Sequence, residues 1–221
     1  MKAHVRSHQG TPTLFLNDQP VFANCHLIGG VDPKALDSIQ ASVRAFAQNG
    51  IHIYSVDAVG NEWYAQRPNH AGPYDFSETA GRLLPILEAD PDALFLLRMG
   101  FETYYMPDNW WQRAYPDEVE LLTNGPCGSA SYASQVWQSQ VKDLLRAYIG
   151  HLREVGLYDR VIAYQIATGT CGEWIKAWSS MDPVCGDFSP PMVYAFRAWL
   201  RQRYADDLDA LRRAWGDDQV T

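Results

Sequence analysis

Four times along this chain a short apolar run of strand length precedes a segment with helical periodicity, and the connections are unequal. The segments after the strands are long, while those after the helices are short. Three of the runs, Ile51–Val56, Ala93–Met99 and Val161–Ala167, read directly as strands. The first strand is expected as the second arm of a lead-in hairpin, Thr13–Leu16 and Val21–Leu27, around the turn Asn17-Asp18-Gln19-Pro20. Asp32-Pro33 then opens a helix, with Asp at the N-cap and Pro at the first helical position. Leu36, Ile39, Val43, Phe46 and Ala47 recur every three or four residues as one buried stripe, and Asn49-Gly50 ends it. Further helices are expected over Ser77–Ala89, Ser131–Val155, Pro190–Tyr204 and Asp207–Trp215. In the longest of these, Val136, Val141, Leu144, Leu145, Tyr148 and Leu152 face inward.

Strands joined by helical crossovers are parallel, in right-handed βαβ units. A doubly wound sheet shares that pattern but usually carries a glycine-rich phosphate turn after its first strand. Gly29-Gly30 is the sole candidate, and it lacks both the GxGxxG spacing and a Walker lysine. Long strand-to-helix loops suit a (β/α)8 TIM barrel, whose active site those loops build. The 221 residues hold four such units, and eight would extrapolate to roughly 400 residues. The expectation is one domain, 1–221, forming the N-terminal half of an α/β barrel cut after its fourth unit.

Composition narrows the partners. With 26 acidic against 18 basic residues the net charge is -8, which disfavours nucleic acid and anionic membrane surfaces. Met1–Gly10 lacks the apolar core of a signal peptide, and no apolar run of bilayer length occurs. Cys25, Cys127, Cys171 and Cys185 show no CxxC spacing. Reduced thiols in a cytoplasmic protein are expected, a Cys171–Cys185 bridge being the oxidised alternative. No cofactor and no resident metal are expected.

In a parallel barrel the chemistry sits at the carboxyl ends of the strands. After the second strand come Asp57, Asn61, Glu62 and Trp63; the third offers Arg98, Glu102, Tyr104, Tyr105, Trp110 and Trp111. The fourth offers Gln165, Thr168, Glu173 and Trp174. Neither a Ser-His-Asp order nor HExxH is present. Carboxylates, amides and aromatics suit a sugar, whose ring stacks on Trp or Tyr while its hydroxyls bond to polar groups. Glu173 lies in Gly169-Thr170-Cys171-Gly172-Glu173-Trp174, a small-residue turn that sets one acid beside one aromatic. Desolvation by a Trp neighbour raises a carboxyl pKa toward the range a general acid needs. Asp57 could equally cap its loop, and Glu62 and Glu102 could be surface charges or loop ion pairs. His26 and His52 are expected in core packing.

Three stretches resemble the amino-terminal half of clan A glycoside hydrolases, nearest the family 42 β-galactosidases. Gly72-Pro73-Tyr74-Asp75-Phe76-Ser77 is similar to that family's entry into its second helix. Asn109-Trp110-Trp111 with Tyr115-Pro116-Asp117-Glu118 is similar to its loop after strand three. Tyr194-Ala195-Phe196-Arg197-Ala198-Trp199-Leu200, Arg203-Tyr204 and Ala214-Trp215-Gly216 resemble its later helix and the Ala-Trp-Gly that follows. The resemblance covers most of the chain from Gly72 and implies retaining hydrolysis of O-glycosidic bonds. In that family the acid/base is a Glu directly after Asn at the end of strand four. Aligning Tyr164-Gln165-Ile166 with that strand puts Thr168-Gly169 in those places, so the role passes to Glu173. The family's nucleophile is a Glu on strand seven, which these four units do not reach.

Three readings follow. In the first, the chain is part of a retaining glycosidase, with Glu173 as acid/base and Asp57, Trp63, Arg98, Glu102, Trp110, Trp111, Gln165 and Trp174 as substrate contacts. The second is a non-catalytic carbohydrate-binding half-barrel. The third is a barrel enzyme holding a metal on Asp57, Glu102 and Glu173. Under any of them, open strand edges would let a half-barrel pair with a second copy or with another chain.

Overall fold

The computed structural model describes residues 1–59, 74–103, 109–168, 174 and 186–220. They fall into two compact units, Met1–Phe101 with Asp143–Ile175, and Glu102–Lys142 with Lys176–Thr221.

The first unit opens with strands β1 (Ala3–His8), β2 (Thr11–Leu16) and β3 (Gln19–Val21), paired antiparallel. The expected hairpin is thus a three-stranded sheet, and β1 had no apolar alternation to mark it. Its polar residues gain packing from one ring: His4 stacks on Phe15 at 5.5 Å, His8 meets it edge-on, and the Arg6 guanidinium lies 3.9 Å from its centroid. The expected Val21–Leu27 strand is also divided, because exposed Phe22–Cys25 links β3 to β4 (His26–Gly29).

Strands β4, β5 (Ile53–Val59), β6 (Leu94–Gly100) and β9 (Val161–Ala167) form a parallel sheet in chain order, without reversal. Helices α1 (Leu36–Ala47) and α2 (Glu78–Ala89) provide crossovers. Asp32 caps a 3-10 turn, Pro33–Ala35, that leads into α1, and its carboxylate accepts from Lys34 N. The register puts Tyr54 and Val56 of β5 on the same face as Phe95 and Leu97 of β6, all of them fully buried, and an irregularity at Ala58 brings Val59 opposite Met99. That face lies under the helices. Tyr54 donates to Val43 O of α1, and His26 stacks on Phe46 at 3.9 Å while its Nε2 meets Ser42 Oγ at 2.8 Å. Burial lowers the His26 pKa. From helix α4 (Gln135–Glu154), Leu144, Tyr148 and Leu152 complete this core, with Phe76 edge-on to Tyr148.

The opposite face carries Leu27, Ser55, Asp57, Leu96, Arg98, Ala163 and Gln165, which alternate with the helix-covered residues as strand geometry requires. It is more open: Leu27 is 62% exposed and Gln165 is exposed.

The second unit contains α3 (Trp110–Ala114), a hairpin of β7 (Val119–Leu122) and β8 (Gly125–Ala130), α5 (Pro190–Arg203) and α6 (Leu208–Trp215). Neither β7 nor β8 was expected from the sequence: β7 is only four residues long, and β8 is Gly-Pro-Cys-Gly-Ser-Ala. Asp187 ties this unit together. Its Oδ1 accepts from Leu121 N and Ser189 N, its Oδ2 from Ser131 Oγ at 2.6 Å, and Phe188 N donates to Leu121 O. Burial alone would raise the Asp187 pKa, but these donors outweigh it and hold the carboxyl below its ordinary value. In α4 the buried residue at the start is Trp137, where the sequence pointed to Val136. Among the described residues no helix is long and apolar enough to cross a membrane.

Candidate functional site

One register row crosses the open face of the parallel sheet: Asp57 of β5 lies opposite Arg98 of β6, which lies opposite Gln165 of β9. Parallel pairing in register makes the three side chains point the same way, so an acid, a guanidinium and an amide share one surface. Arg98 Nη1 stands 3.1 Å from Asp57 Oδ1, the side chains being 23% and 47% exposed. At that exposure the ion pair stabilises by about 1 kcal/mol or less. Its main effect is orientation. Beside it, Gly29 closes β4 with φ +68°, a left-handed conformation glycine takes at little cost, and a Cβ there would meet Asp57 Oδ2 at 3.9 Å. In the sequence Gly29 reads only as part of a phosphate turn, whose spacing it lacks; in the structure it ends the strand beside Asp57.

The carboxyl end of β9 is closed by Trp174. Its backbone N–H donates to Thr168 O at 2.8 Å, and its indole Nε1–H to Ile166 O at 2.9 Å. Trp174 has φ +58°, a conformation that costs a non-glycine residue about 1–2 kcal/mol. The two hydrogen bonds offset that cost and leave the indole 47% exposed. Thr168 is 2% exposed. Glu173 and Trp63 lie outside the described residues, as do Asn61, Glu62, Tyr104, Tyr105, Cys171 and Cys185.

Glu102, Trp110 and Trp111 belong to the second unit. Trp111 is fully buried with its Nε1–H donating to Gln140 at 2.8 Å, and Trp110 is 7% exposed. Neither ring offers a broad face to solvent. The structure therefore brings Asp57, Arg98 and Gln165 together, with Trp174 at the end of the same sheet.

A separate group sits at the amino ends of the strands. His52 Nδ1 and Tyr54 Oη both meet Asp90 Oδ2 at 2.8 Å, and Asp92 N donates to Asp90 Oδ1. Burial and Asp90 push the Tyr54 phenol far above its ordinary pKa. His52, Asp90 and Asp92 have ligand atoms within 4.8 Å of one another. Both oxygens of Asp90 already accept hydrogen bonds, so the group reads as a structural clasp. On the open face, Asp57 Oδ1 is paired with the Arg98 guanidinium, so that oxygen already has a cationic partner from the protein.

A row of acceptor, guanidinium donors and amide matches the edge of a polyol, whose hydroxyls both donate and accept. No protein-family model matches the chain, and no curated protein matches it by sequence. Solved structures do resemble it. Gan42B, a GH42 β-galactosidase, superposes on 88% of this chain and 26% of its own, with TM-score 0.57 and 16% identity. The cold-adapted β-galactosidase from Rahnella sp. R3 covers 86% of this chain and 26% of its own, with TM-score 0.52 and 20% identity. At these identities the likeness is one of fold. The chain is GH42-like in fold and spans about a quarter of the length of these two structures.

Proposed function

We propose that residues 1–221 are the N-terminal half of a (β/α)8 barrel domain in a retaining, β-galactosidase-like glycoside hydrolase, with a carbohydrate as substrate. The observation that carries this reading is the Asp57–Arg98–Gln165 row on the more exposed face of a parallel sheet whose strands run in chain order. A doubly wound sheet reverses its strand order at a switch point and carries helices on both faces. The order β4-β5-β6-β9, with the helices among the described residues packed on one face, supports the barrel instead. The row faces what would be the barrel interior, near the carboxyl ends where such enzymes bind substrate.

Glu173 is the acid/base. It precedes Trp174, whose two hydrogen bonds anchor that point of the chain to the end of β9. Retaining hydrolysis needs two carboxyl groups about 5–5.5 Å apart. Asp57 is held by Arg98 and serves substrate binding with Gln165 and Trp174, so the attacking carboxylate comes from polypeptide beyond these four strands. Glu173 protonates the leaving oxygen as the nucleophile attacks the anomeric carbon. It then removes a proton from the water that cleaves the glycosyl-enzyme.

The test is product stereochemistry. The full-length protein should release galactose from an aryl β-galactoside as the β-anomer first, seen by proton NMR before mutarotation. Release of the α-anomer, or no turnover of any aryl glycoside that the protein binds, would overturn the proposal. The second of these results would favour a non-catalytic sugar-binding role.

A further inference from the structure

We propose that the cleft between α5 and α6 binds a small monocarboxylate carrying an apolar body. The cleft has a volume of about 420 Å³, within the range of small-molecule sites. It is formed by one helix-turn-helix of the second unit and does not rest on the glycosidase reading.

Arg197 and Arg201 line one wall, and a spacing of four residues sets them one above the other on α5. Among the described residues neither guanidinium takes part in an ion pair or a side-chain hydrogen bond. Leu200, Leu208 and Leu211 supply the apolar lining, Leu211 being 8% exposed. Helix α5 holds three arginines and no acidic residue, within a chain of net charge -8. Both arginines are exposed and one helical turn apart beside the leucines, so a single anion placed in the cleft can be met by both charges. Guanidinium forks match a carboxylate in shape and charge.

The acids of the cleft decide the charge of the ligand. Asp207 is engaged: its Oδ1 accepts from Ala210 N at 2.9 Å to cap α6, and its Oδ2 lies 3.7 Å from Arg213 Nη2. That leaves Asp206 against the two arginines, a balance of one positive charge, which suits a monoanion better than a phosphate dianion.

Phenylacetate, 2-phenylethanol and phenyl phosphate, titrated into the chain by calorimetry, test this assignment. Phenylacetate should bind about tenfold or more tighter than the neutral alcohol, as loss of charge-assisted hydrogen bonds predicts. Replacing both arginines (Arg197→Gln with Arg201→Gln) should bring the acid down to the alcohol's affinity, with the circular dichroism spectrum and melting temperature unchanged. Asp206→Asn should tighten phenylacetate, since Asn tolerates the left-handed backbone there (φ +59°). Equal affinity for acid and alcohol, full binding by the folded double variant, or stronger binding of phenyl phosphate would each overturn the assignment.

Discussion

At the scale of single residues, Asp90 shows how a buried charge is accommodated in this fold. Its side chain is 3% exposed, and it accepts from Tyr54 Oη, His52 Nδ1 and Asp92 N. Removing one donor leaves part of a buried carboxylate unsatisfied. Tyr54→Phe should therefore cost about 1–3 kcal/mol, read as a lower urea midpoint with unchanged slope; a midpoint within error of wild type would show that Asp90 does not depend on Tyr54. This clasp was not visible in the sequence, where His52 read as core and Asp90 drew no notice, because its partners are 36 and 38 residues away. Asp57, Arg98, Gln165 and Trp174 were legible as candidates because strand ends are predictable from apolar runs. Their alignment in one row was not, since register is a tertiary property. Trp110 and Trp111 read as sugar-stacking residues because they sit in polar sequence. In the fold that segment is a short helix that turns both rings inward, one held by Gln140.

At the scale of elements, the later three parallel strands and the helices were readable to within a few residues, because they have a strong apolar period and Gly, Pro or Asp boundaries, whereas the first strand was expected five residues too early. The β7–β8 hairpin was not, being short and poor in β-formers, and it is held by contacts distant in sequence. Asp187 supplies several of these by joining the segment before α5 to β7 and to Ser131. Its carboxyl is depressed below its ordinary pKa, so the stabilisation is present above the unfolded value and is lost as pH falls through the folded one. Asp187→Asn should cost about 1–2 kcal/mol at pH 7, allowing for the partial exposure of the carboxylate. The difference from wild type should persist to about pH 5 and shrink below about pH 4. Denaturation at several pH values checks this; a difference independent of pH would mean that the charge is not what matters.

At the scale of the whole molecule, the chain matches GH42 β-galactosidases in fold over 88% and 86% of its length while covering 26% of theirs. The likeness could be anticipated from the strand-helix alternation and from three short stretches after Gly72. Under the proposed function the two carboxylates of a retaining reaction come from distant strands, and the four strands of this sheet carry the acid/base side of the pair. The proposal that Glu173 is the acid/base is most directly tested by leaving-group dependence in the full-length protein. Glu173→Gln should lower kcat/KM for aryl β-galactosides with poorly acidic phenols by about 10²–10⁴-fold. It should have a much smaller effect where the leaving phenol is acidic enough to depart unprotonated. A loss of the same size for every leaving group, or no loss at all, would contradict the assignment.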